Sequence, residues 1–367
     1  MEPQRTRIRP PVPTHVIPSD ARGLLNVPEL RTDWLTGRSV VVAENRALRP
    51  NEFNGAFYAA PGSQAVANLT LAEAGLPQVT GLPSCPFCVG HESRTPASLY
   101  EQLDQAGQWS VRVIPNMFPA VTLADKLRAG PNQQAQGAHE VIVESARHLD
   151  RTSALSTQEF QSVLEAYAQR LRYWREDGRM AYGLVFKNQG PRAGASIAHL
   201  HSQLLALPSL PPTVEAELQR AKQDYNEHGS CAICRLIERE RFFRERVVFE
   251  RDGFIAFCPF ASLQPHEVWL MPTRHEPSFE TVIEGEAAGR LAATLHGLIS
   301  RLEALVPDAS YNMLLRTAHW TTTCGDWCHW RIEMLPRANA FVGFEIATGL
   351  NINPLAPERA AAQLRSS

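Results

Sequence analysis

The segment HEVIVESARH (139–148) has a near copy, HEVWLMPTRH (266–275), further along the chain. A histidine opens each copy, and a second histidine follows nine residues later. The residues after the first histidine are rich in β-branched and aromatic side chains over a short run, which is typical of a strand. Two such segments in one chain indicate that a single structural unit occurs twice.

Further motifs flank both copies in the same order. In the first half of the chain they are Cys85-x-x-Cys88, the 139–148 segment, an amphipathic helix, YGLVFKN (182–188) and His199-x-His201. In the second half they are Cys231-x-x-Cys234, the 266–275 segment, a second helix, YNMLL (311–315) and His329. Chance gives one such coincidence easily but not several in one order, so two copies of one α/β unit are predicted.

The helices between the motifs carry apolar residues at helical spacing. The first begins at Ser156, where Glu159 completes a capping box three residues later. Its apolar positions are Phe160, Val163, Leu164, Tyr167, Leu171 and Trp174, and those of the second helix are Leu291, Leu295, Leu298, Leu302 and Leu305. We predict a sheet covered by helices in each unit. A boundary is expected near LPSLPPTVEAE (207–217), because its prolines cannot continue a central strand.

Composition describes an ordinary globular protein and excludes several classes. At 367 residues the chain suits two domains, with 44% hydrophobic and 20% charged residues. The formal net charge of −2 gives no reason to expect a nucleic-acid partner. There is no apolar run of about 18 residues, so a membrane span is not expected. The opening MEPQRTRIRPPVPTH (1–15) lacks an apolar signal core and is interpreted as a loose leader, so a cytoplasmic location is expected.

The cysteines favour metal binding. Four of the seven form the two Cys-x-x-Cys pairs, and Cys258, Cys324 and Cys328 are scattered. In a long cytosolic chain such pairs are more often metal ligands or redox dithiols than disulfides. A tetrahedral zinc site needs two further donors; the candidate imidazoles are His91, His139, His148, His199 and His201 in the first unit and His266, His275, His296, His319 and His329 in the second. We predict a closed, structural Cys₂His₂ site in each unit. The alternative is a pair of buried, reduced cysteines.

The segment GASIAHLHSQLLALP (194–208) is predicted to be a strand that carries reactive side chains. Alternation along a strand puts His199, His201 and Gln203 on one face. Neutral imidazole is a good nucleophile toward phosphorus when its other nitrogen is held as an N–H donor, for example by a backbone carbonyl. The preceding FKNQGPRAGAS (186–196) is rich in small residues, so its N–H groups can approach an anionic oxygen. The alternatives are a satisfied core pair and a metal-binding pair.

These motifs together resemble one enzyme family. CPFC, VRVIPNMFPA (111–120), GAHEV, FKNQGPRAGASIAHLHSQ (186–203), the second Cys-x-x-Cys, HW and GFE occur in the order of the galactose-1-phosphate uridylyltransferase family, the nucleotidyltransferase branch of the histidine-triad superfamily. The resemblance runs from about Leu30 to Ala360. It implies an α/β (α+β) fold of two fused histidine-triad-like units, each an antiparallel sheet with packed helices. The expected division is a leader (1–29), a first unit with the nucleophile (30–208) and a second unit (209–367).

The resemblance also implies roles for individual residues. His201 corresponds to the nucleophile that takes up the nucleoside monophosphate, and Gln203 to the amide that contacts the transferred phosphate. Asn188, Gly194 and Ser196 would complete the phosphate site, Asn116 would contact the nucleotide, Arg46 and Arg49 would meet the distal phosphate, and Phe344 and Glu345 lie in the sugar-contacting stretch.

Two metal sites follow from the same resemblance. The implied ligands are Cys85, Cys88, His139 and His199 for the first site and Cys231, Cys234, His275 and His329 for the second. Zn²⁺ is expected in both, although the second site holds iron in some members. His199 is thereby a ligand and His201 the nucleophile. Aligning HWRIE (329–333) with HLHSQ (199–203) keeps the metal histidine but puts Arg331 in place of the nucleophile, so one unit would catalyse and the other would shape the pocket.

Departures from the family pattern bear on the substrate. Galactose uridylyltransferases carry His-Pro-His-Gly-Gln, whereas this chain has His-Leu-His-Ser-Gln. The stretch ANAFVGFEIATGLNINP (338–354) has no lysine, and Phe344 replaces a tyrosine before Glu345, which removes hydrogen bonds to a sugar. The stretch instead resembles relatives that act on ADP-glucose with phosphate as acceptor.

The predicted function is therefore that of a nucleotidyltransferase of the EC 2.7.7 type. It would move a nucleoside monophosphate from a nucleotide sugar, ADP-glucose or a UDP-hexose, to phosphate or a sugar 1-phosphate through a covalent nucleotidyl-His201. Galactose-1-phosphate uridylyltransferase proper is the runner-up. A histidine-triad hydrolase is a further alternative, although Gln203 cannot transfer a proton near neutral pH, and a non-catalytic zinc-stabilised nucleotide binder is the last. A homodimer in carbohydrate or galactose metabolism is expected.

Overall fold

A computed structural model describes residues 28–44, 46, 85–123, 135–306, 308, 310–321, 324–337 and 342–367. Almost all of the predicted leader (1–29) lies outside these residues. Arg49, which is predicted to contact the distal phosphate, also lies outside them. In the described residues, no helix is long and apolar enough to cross a membrane.

The described residues form thirteen strands and six α-helices. The strands are β1 (Glu29–Thr32), β2 (Ser39–Val42), β3 (Tyr100–Leu103), β4 (Trp109–Pro115), β5 (Ala138–Val143), β6 (Tyr182–Gln189), β7 (His201–Leu207), β8 (Val247–Arg251), β9 (Phe254–Phe257), β10 (Val268–Pro272), β11 (Tyr311–Arg316), β12 (Arg331–Pro336) and β13 (Asn351–Asn353). The helices are α1 (Thr157–Asp177), α2 (Pro212–His228), α3 (Ala232–Phe243), α4 (Gly285–Leu305), α5 (Gly343–Thr348) and α6 (Pro357–Ser366). Both repeated segments and both helices predicted between the motifs are present.

Ten strands form one antiparallel sheet in the order β3-β4-β5-β7-β6-β11-β12-β10-β9-β8. Its first five strands follow the pattern β3-β4-β5-β7-β6, and the second five repeat it from the other end as β8-β9-β10-β12-β11. The halves join where β6 pairs with β11, from Gln189 opposite Tyr311 to Val185 opposite Leu315. The predicted fold of two fused α+β units with antiparallel strands is confirmed, and the two units share a continuous sheet.

The two long helices occupy equivalent places in the halves and pack against each other. Helix α1 follows β5, and Ser156 caps it with the predicted capping box to Glu159. Helix α4 follows β10, and its leucines 291, 295, 298 and 302 are fully buried. Burying one such side chain contributes about 1.5–3 kcal/mol relative to leaving it exposed. The helices therefore cover one face of the sheet and hold the two halves together.

A smaller sheet ties the described N-terminal residues to the C-terminal ones. Its order is β1-β2-β13, and β2 pairs with β13 in parallel, with Val40 opposite Asn351. After β7 the chain leaves the main sheet and enters α2, with Pro211 and Pro212 at the start of that helix. The prolines thus follow the last strand of the first half of the sheet. The predicted domain bounds, 30–208 and 209–367, stay predictions.

Candidate active site

His201 is the first residue of β7, at the edge of a pocket. Its Nδ1–H donates to the backbone carbonyl of His199 at 2.8 Å. That bond leaves Nε2 as the ring nitrogen with a lone pair. Burial lowers the pKa of His201, more than the bond to His199 raises it, so the neutral ring is favoured. The residue has the tautomer and charge that nucleophilic attack requires.

The expected strand face shared by His199, His201 and Gln203 is only partly present. His201 and Gln203 lie two apart on β7, but His199 precedes the strand. Leu200 between them donates its N–H to the carbonyl of Leu149, beyond the end of β5, at 2.8 Å. The carbonyl of Leu200 accepts from the N–H of Glu144 at 3.1 Å. His199 therefore lies beyond the regular pairing of β7 with β5, beside the cysteine pair, whereas His201 lines the pocket.

The pocket beside His201 has a volume of about 290 Å³. Phe87, Ile114, Val141 and Ile197 give it apolar walls, and its polar lining includes Arg94, Thr95, Asn116, Ser196 and Gln203. Small-molecule pockets commonly combine apolar walls with a few placed polar groups. The structure thus brings four predicted site residues together: Asn116, Ser196, His201 and Gln203.

A histidine outside the pocket lining, His139, fixes the orientation of the Gln203 amide. His139 Nδ1 accepts the backbone N–H of Ala120 at 3.0 Å, so its proton is on Nε2, which donates to Gln203 Oε1 at 2.8 Å. Asn116 Nδ2 lies 3.1 Å from the same Nε2. Burial lowers the pKa of His139, against the opposing effect of its bond to Gln203. Because the carbonyl end of the Gln203 amide is used in this way, its N–H groups are the end that can serve an anionic ligand.

Two clusters of Cys and His side chains could each hold a metal ion, and we call them the first and second metal-binding groups. The first contains His148 in the place for which the resemblance implied His139. Ligand atoms of Cys85, Cys88, His148 and His199 lie within 4.8 Å of one another. His148 Nδ1 is 3.4 Å from Cys88 Sγ, and His199 Nδ1 is 3.5 Å from Cys85 Sγ. His199 Nε2–H donates to the Ser145 carbonyl at 2.7 Å, which directs Nδ1 to the sulfurs.

The assignment of His139 to this group was wrong because of the register of β5. His201 pairs with Val143 at one end of β5, whereas His139 pairs with Leu205 near the other end. The cysteine pair contacts His199, near the end of β5 where His201 pairs with Val143. His139 lies toward the other end of β5 and is hydrogen-bonded to Gln203 instead. The second histidine of the repeated segment, which follows β5, is the one that reaches the cysteines.

The second metal-binding group contains all four of the residues expected for it. Cys231, Cys234, His275 and His329 place their ligand atoms within 4.8 Å of one another. Backbone carbonyls again fix the imidazoles: His275 Nε2–H donates to Gly325 at 2.6 Å and His329 Nε2–H to Pro272 at 3.1 Å. Metal-binding histidines typically donate their second N–H in this way.

Both groups suit a thiophilic ion with tetrahedral preference, such as Zn²⁺. Burial raises the pKa of the Cys85 thiol, but its contacts with His148 and His199 outweigh this and lower the pKa to about 5. The hydrogen bond between Cys231 and Cys234 lowers the pKa of Cys231 to about 4 and raises the pKa of Cys234. Thiolates are the form that binds metal. Two sulfurs and two oriented imidazoles in each half therefore form a matched pair of potential sites.

The second half carries Arg331 at the position equivalent to His201. Arg331 begins β12 as His201 begins β7, and it is fully buried. Its guanidinium donates to Glu333 Oε1 at 2.6 and 3.0 Å and to Glu217 Oε1 at 2.7 Å. Burial raises the pKa of Glu333, but Arg316 and Arg331 outweigh it and hold this pKa well below its usual range. Ion pairs fill the place that corresponds to the reactive site.

Several predicted residues do not line the pocket. Asn188 Oδ1 accepts from Asn312 Nδ2 at 2.8 Å, and Gly194 lies near it with φ 88°, a left-handed conformation that favours glycine. Arg46 is exposed beyond β2. Phe344 and Glu345 lie on α5, which contacts β13 of the smaller sheet. Roles for these residues, and for Arg49, stay predictions.

A buried polar network behind β7 was not expected from the sequence. Glu144 accepts hydrogen bonds from Lys187, Ser202 and Tyr167, with Tyr167 OH at 2.8 Å. Burial raises the pKa of Glu144, but Lys187, Ser202 and Tyr167 together outweigh it and lower this pKa. Ser202 lies between His201 and Gln203, so strand alternation directs it to the opposite face. That alternation was the available signal for a residue that supports the site from behind.

Comparison with known proteins places this geometry in a class of nucleotidyl-transferring enzymes. ADP-glucose phosphorylase of Arabidopsis thaliana is 31% identical over 347 residues, which are 92% of this chain and 92% of the relative. Its crystal structure with bound ADP-glucose superposes with a TM-score of 0.78 and 30% identity, covering 93% of this chain and 99% of that one. Galactose-1-phosphate uridylyltransferase of Thermotoga maritima is 26% identical over 299 residues, covering 77% of this chain and 89% of that protein.

A family model described as "Domain of unknown function (DUF4921)" matches residues 112–366. The chain belongs to this family, and its relatives identify it as a member of the wider galactose-1-phosphate uridylyltransferase family. The resemblance inferred from the motifs is therefore confirmed.

Proposed function

We propose that this protein is a nucleotidyltransferase that passes a nucleoside monophosphate from a nucleotide sugar to an acceptor through His201. One observation carries the proposal: His201 Nδ1–H is bound to the His199 carbonyl at 2.8 Å, so the nucleophilic Nε2 remains at the pocket. A nucleophile is effective when a second group fixes it in its reactive form. Here the second group is a backbone carbonyl, which accepts the Nδ1–H hydrogen bond and does not itself take up the proton.

The reaction has two steps that use the same residues. In the first, His201 Nε2 attacks the α-phosphorus, the bond from phosphorus to the bridging oxygen breaks, and the sugar 1-phosphate leaves. In the second, an acceptor phosphate oxygen attacks the nucleotidyl-His201, the P–N bond breaks, and the ring regains its neutral form. The N–H groups of Gln203 would stabilise the charge that develops on the phosphate oxygens, because His139 occupies its carbonyl.

ADP-glucose as donor and inorganic phosphate as acceptor are the substrates we favour. The full-length similarity to a protein named ADP-glucose phosphorylase supports this choice. Uridylyl transfer to galactose 1-phosphate is the second candidate, supported by the similarity to uridylyltransferases. Hydrolysis is disfavoured because Gln203 stands where a proton-transferring residue would assist water.

The two Cys₂His₂ groups would each hold one Zn²⁺ ion as a structural element. Four protein ligands close the coordination shell of a tetrahedral ion, so neither ion would retain a position for substrate. Iron at the second group, the cytoplasmic location, the homodimer and a part in carbohydrate metabolism stay predictions.

Mass spectrometry of the intact protein after brief incubation with one donor tests the proposal. With ADP-glucose we expect the mass of one adenylyl group to be added, and with UDP-glucose little or no addition. Inorganic phosphate should then remove the adduct and release ADP. A uridylyl adduct that galactose 1-phosphate discharges would favour the second candidate. Turnover without an adduct on His201 from either donor would contradict the covalent mechanism.

A further inference from the structure

A third cluster of metal-ligand side chains lies outside both four-residue groups. One ligand atom each from His319, Cys324 and Cys328 lies within 4.8 Å of the others, and all three residues are buried. Trp327 and Leu218 pack against the two cysteines. The two sulfurs are bonded to each other as a disulfide.

The backbone brings these two sulfurs together. The N–H of Cys328 donates to the carbonyl of Cys324 at 2.8 Å, which closes one helical turn. Residues four apart on such a turn lie on the same side. The Cα atoms are 5.4 Å apart, within the range that a disulfide requires. A turn of this kind equally presents two thiolates to a single ion, and the His319 imidazole adds a third donor.

The same turn supports the neighbouring metal-binding group. Gly325 accepts the Nε2–H of His275 at 2.6 Å, and the Trp327 carbonyl lies 3.6 Å from Cys231 Sγ. Cys328 is followed directly by His329, a member of that group. Residues 324–328 therefore form an outer layer of a metal-binding region. A ring contact with Trp327, at 6.0 Å between centroids, holds His319 beside them.

We propose that His319, Cys324 and Cys328 form a redox-gated third metal site, which binds one Zn²⁺ ion when the disulfide is reduced. A dithiol reductant supplies two electrons and two protons: its own sulfurs join, and the Cys324–Cys328 bond becomes two thiols. Zn²⁺ then displaces both thiol protons to solvent and is bound by two thiolates and the imidazole. Water would take the fourth position of the tetrahedral ion.

The charge balance supports a divalent ion of this class. Two thiolates neutralise the ion, so the buried complex carries no net charge, which low-polarity surroundings require. Thiolate and imidazole donors select Zn²⁺ over Mg²⁺ or Ca²⁺, which prefer oxygen. In the disulfide form the sulfurs have lost their thiolate charge and bind metal weakly, so oxidation closes the site.

The number of Zn²⁺ ions per chain tests the proposal. The full-length protein is equilibrated with Zn²⁺ in dithiothreitol or in glutathione disulfide, freed of excess ion, and analysed for zinc by mass spectrometry. A Cys324→Ser/Cys328→Ser variant is treated in the same way. Under reduction we expect the wild type to hold one ion more than the variant, and under oxidation the same number. Peptide mapping should find the oxidised bond between Cys324 and Cys328.

Two further variants make the result specific. Cys258→Ala removes a buried thiol that belongs to none of the three groups, and it should keep the wild-type zinc difference. His319→Ala keeps both thiols and should lose the extra ion, which provides a second test if the double serine variant does not fold. Equal zinc content of the reduced wild type and either site variant would overturn the proposal. Because zinc is counted without substrate, this result is independent of nucleotidyl transfer.

Discussion

The two halves of the sheet share one strand order but differ at the first residue of equivalent strands. In the first half a metal-group histidine, His199, precedes β7 by two residues, and β7 opens with His201. In the second half His329 precedes β12 in the same way, and β12 opens with Arg331. The backbone and the metal-binding groups are duplicated, whereas the chemistry is not. If His201 acts as proposed, the repeated scaffold supplies the position, and the side chains placed on it decide the chemistry.

Electrostatics explain why the second half cannot act as the first does. An arginine is always charged and has no lone pair to offer phosphorus. Arg331 is also engaged by Glu333 and Glu217, so it is not available to an anionic ligand. Glu333 takes the place of Gln203, and its negative charge would repel a phosphate. In the second half, ion-paired side chains occupy the positions that His201 and Gln203 hold in the first half.

The largest effect is expected from removing the nucleophile. His201→Ala should lower nucleotidyl transfer by roughly 10³-fold or more, with no adduct and with unchanged zinc content and thermal stability. His201→Gly should regain turnover when a nucleotidyl imidazolide is supplied, because the cavity left by the ring admits it. Rates and adduct mass are the measurements. An adduct that persists in His201→Ala would show that another residue is the nucleophile.

Replacing the two histidines of the first repeated segment one at a time should separate metal binding from substrate binding. His148→Ala should lose one zinc ion and thermal stability, because a ligand is removed from a closed site. His139→Ala should keep both ions and the melting temperature but reduce turnover, because Gln203 loses the bond that orients it. Zinc analysis and thermal melting distinguish them. Loss of zinc from His139→Ala with none from His148→Ala would restore the assignment made from the resemblance.

Breaking the ion pairs of the second half should affect stability and leave the chemistry intact. Arg331→Met removes the hydrogen bonds to Glu333 and Glu217 and leaves Glu333 with its weaker contacts to Arg38 and Arg316; losing one member of a buried pair costs about 3–5 kcal/mol, and we expect the lower end of that range. The exposed Arg290, which pairs with Glu286 on one turn of α4, is the matched control. Arg290→Met should change stability by less than about 1 kcal/mol. Denaturant unfolding measures both. Equal effects of the two substitutions would mean that the second half does not depend on its ion pairs.

The smallest effect concerns the ends of the two equivalent helices. Ser156→Ala removes the side-chain cap of α1 and should lower the free energy of unfolding by about 1 kcal/mol. Glu284 precedes α4 and makes no side-chain cap there, so Glu284→Ala should leave stability nearly unchanged. Urea unfolding of both variants tests the contrast. A loss in Glu284→Ala as large as that in Ser156→Ala would show that the caps do not distinguish the two halves.

Three of the four residues of the first metal-binding group were identified from the sequence, and the repeat favours the fourth. The repeat aligns His148 with His275, since each is the second histidine of its segment. The resemblance pointed to His139, which opens the segment, and the structure contradicts that choice. Sequence order alone could not decide, because each histidine is near a strand. The register of β5 against β7 decided, since it fixes which end of the strand meets the cysteines.

The sequence by itself determined the duplication, the strands and long helices, the cysteine pairs, and the choice of His201 and Gln203 as candidate site residues, which line one pocket. Those features depend on the spacing of residues within short segments and on motifs that are continuous in the sequence. Only the tertiary structure decided that both units share one sheet and that Gln203 is held by His139. It also decided that His319 lies beside Cys324 and Cys328, and that Glu217 of α2 pairs with Arg331. These contacts join residues from separate elements, and their distances are set by strand register and helix packing.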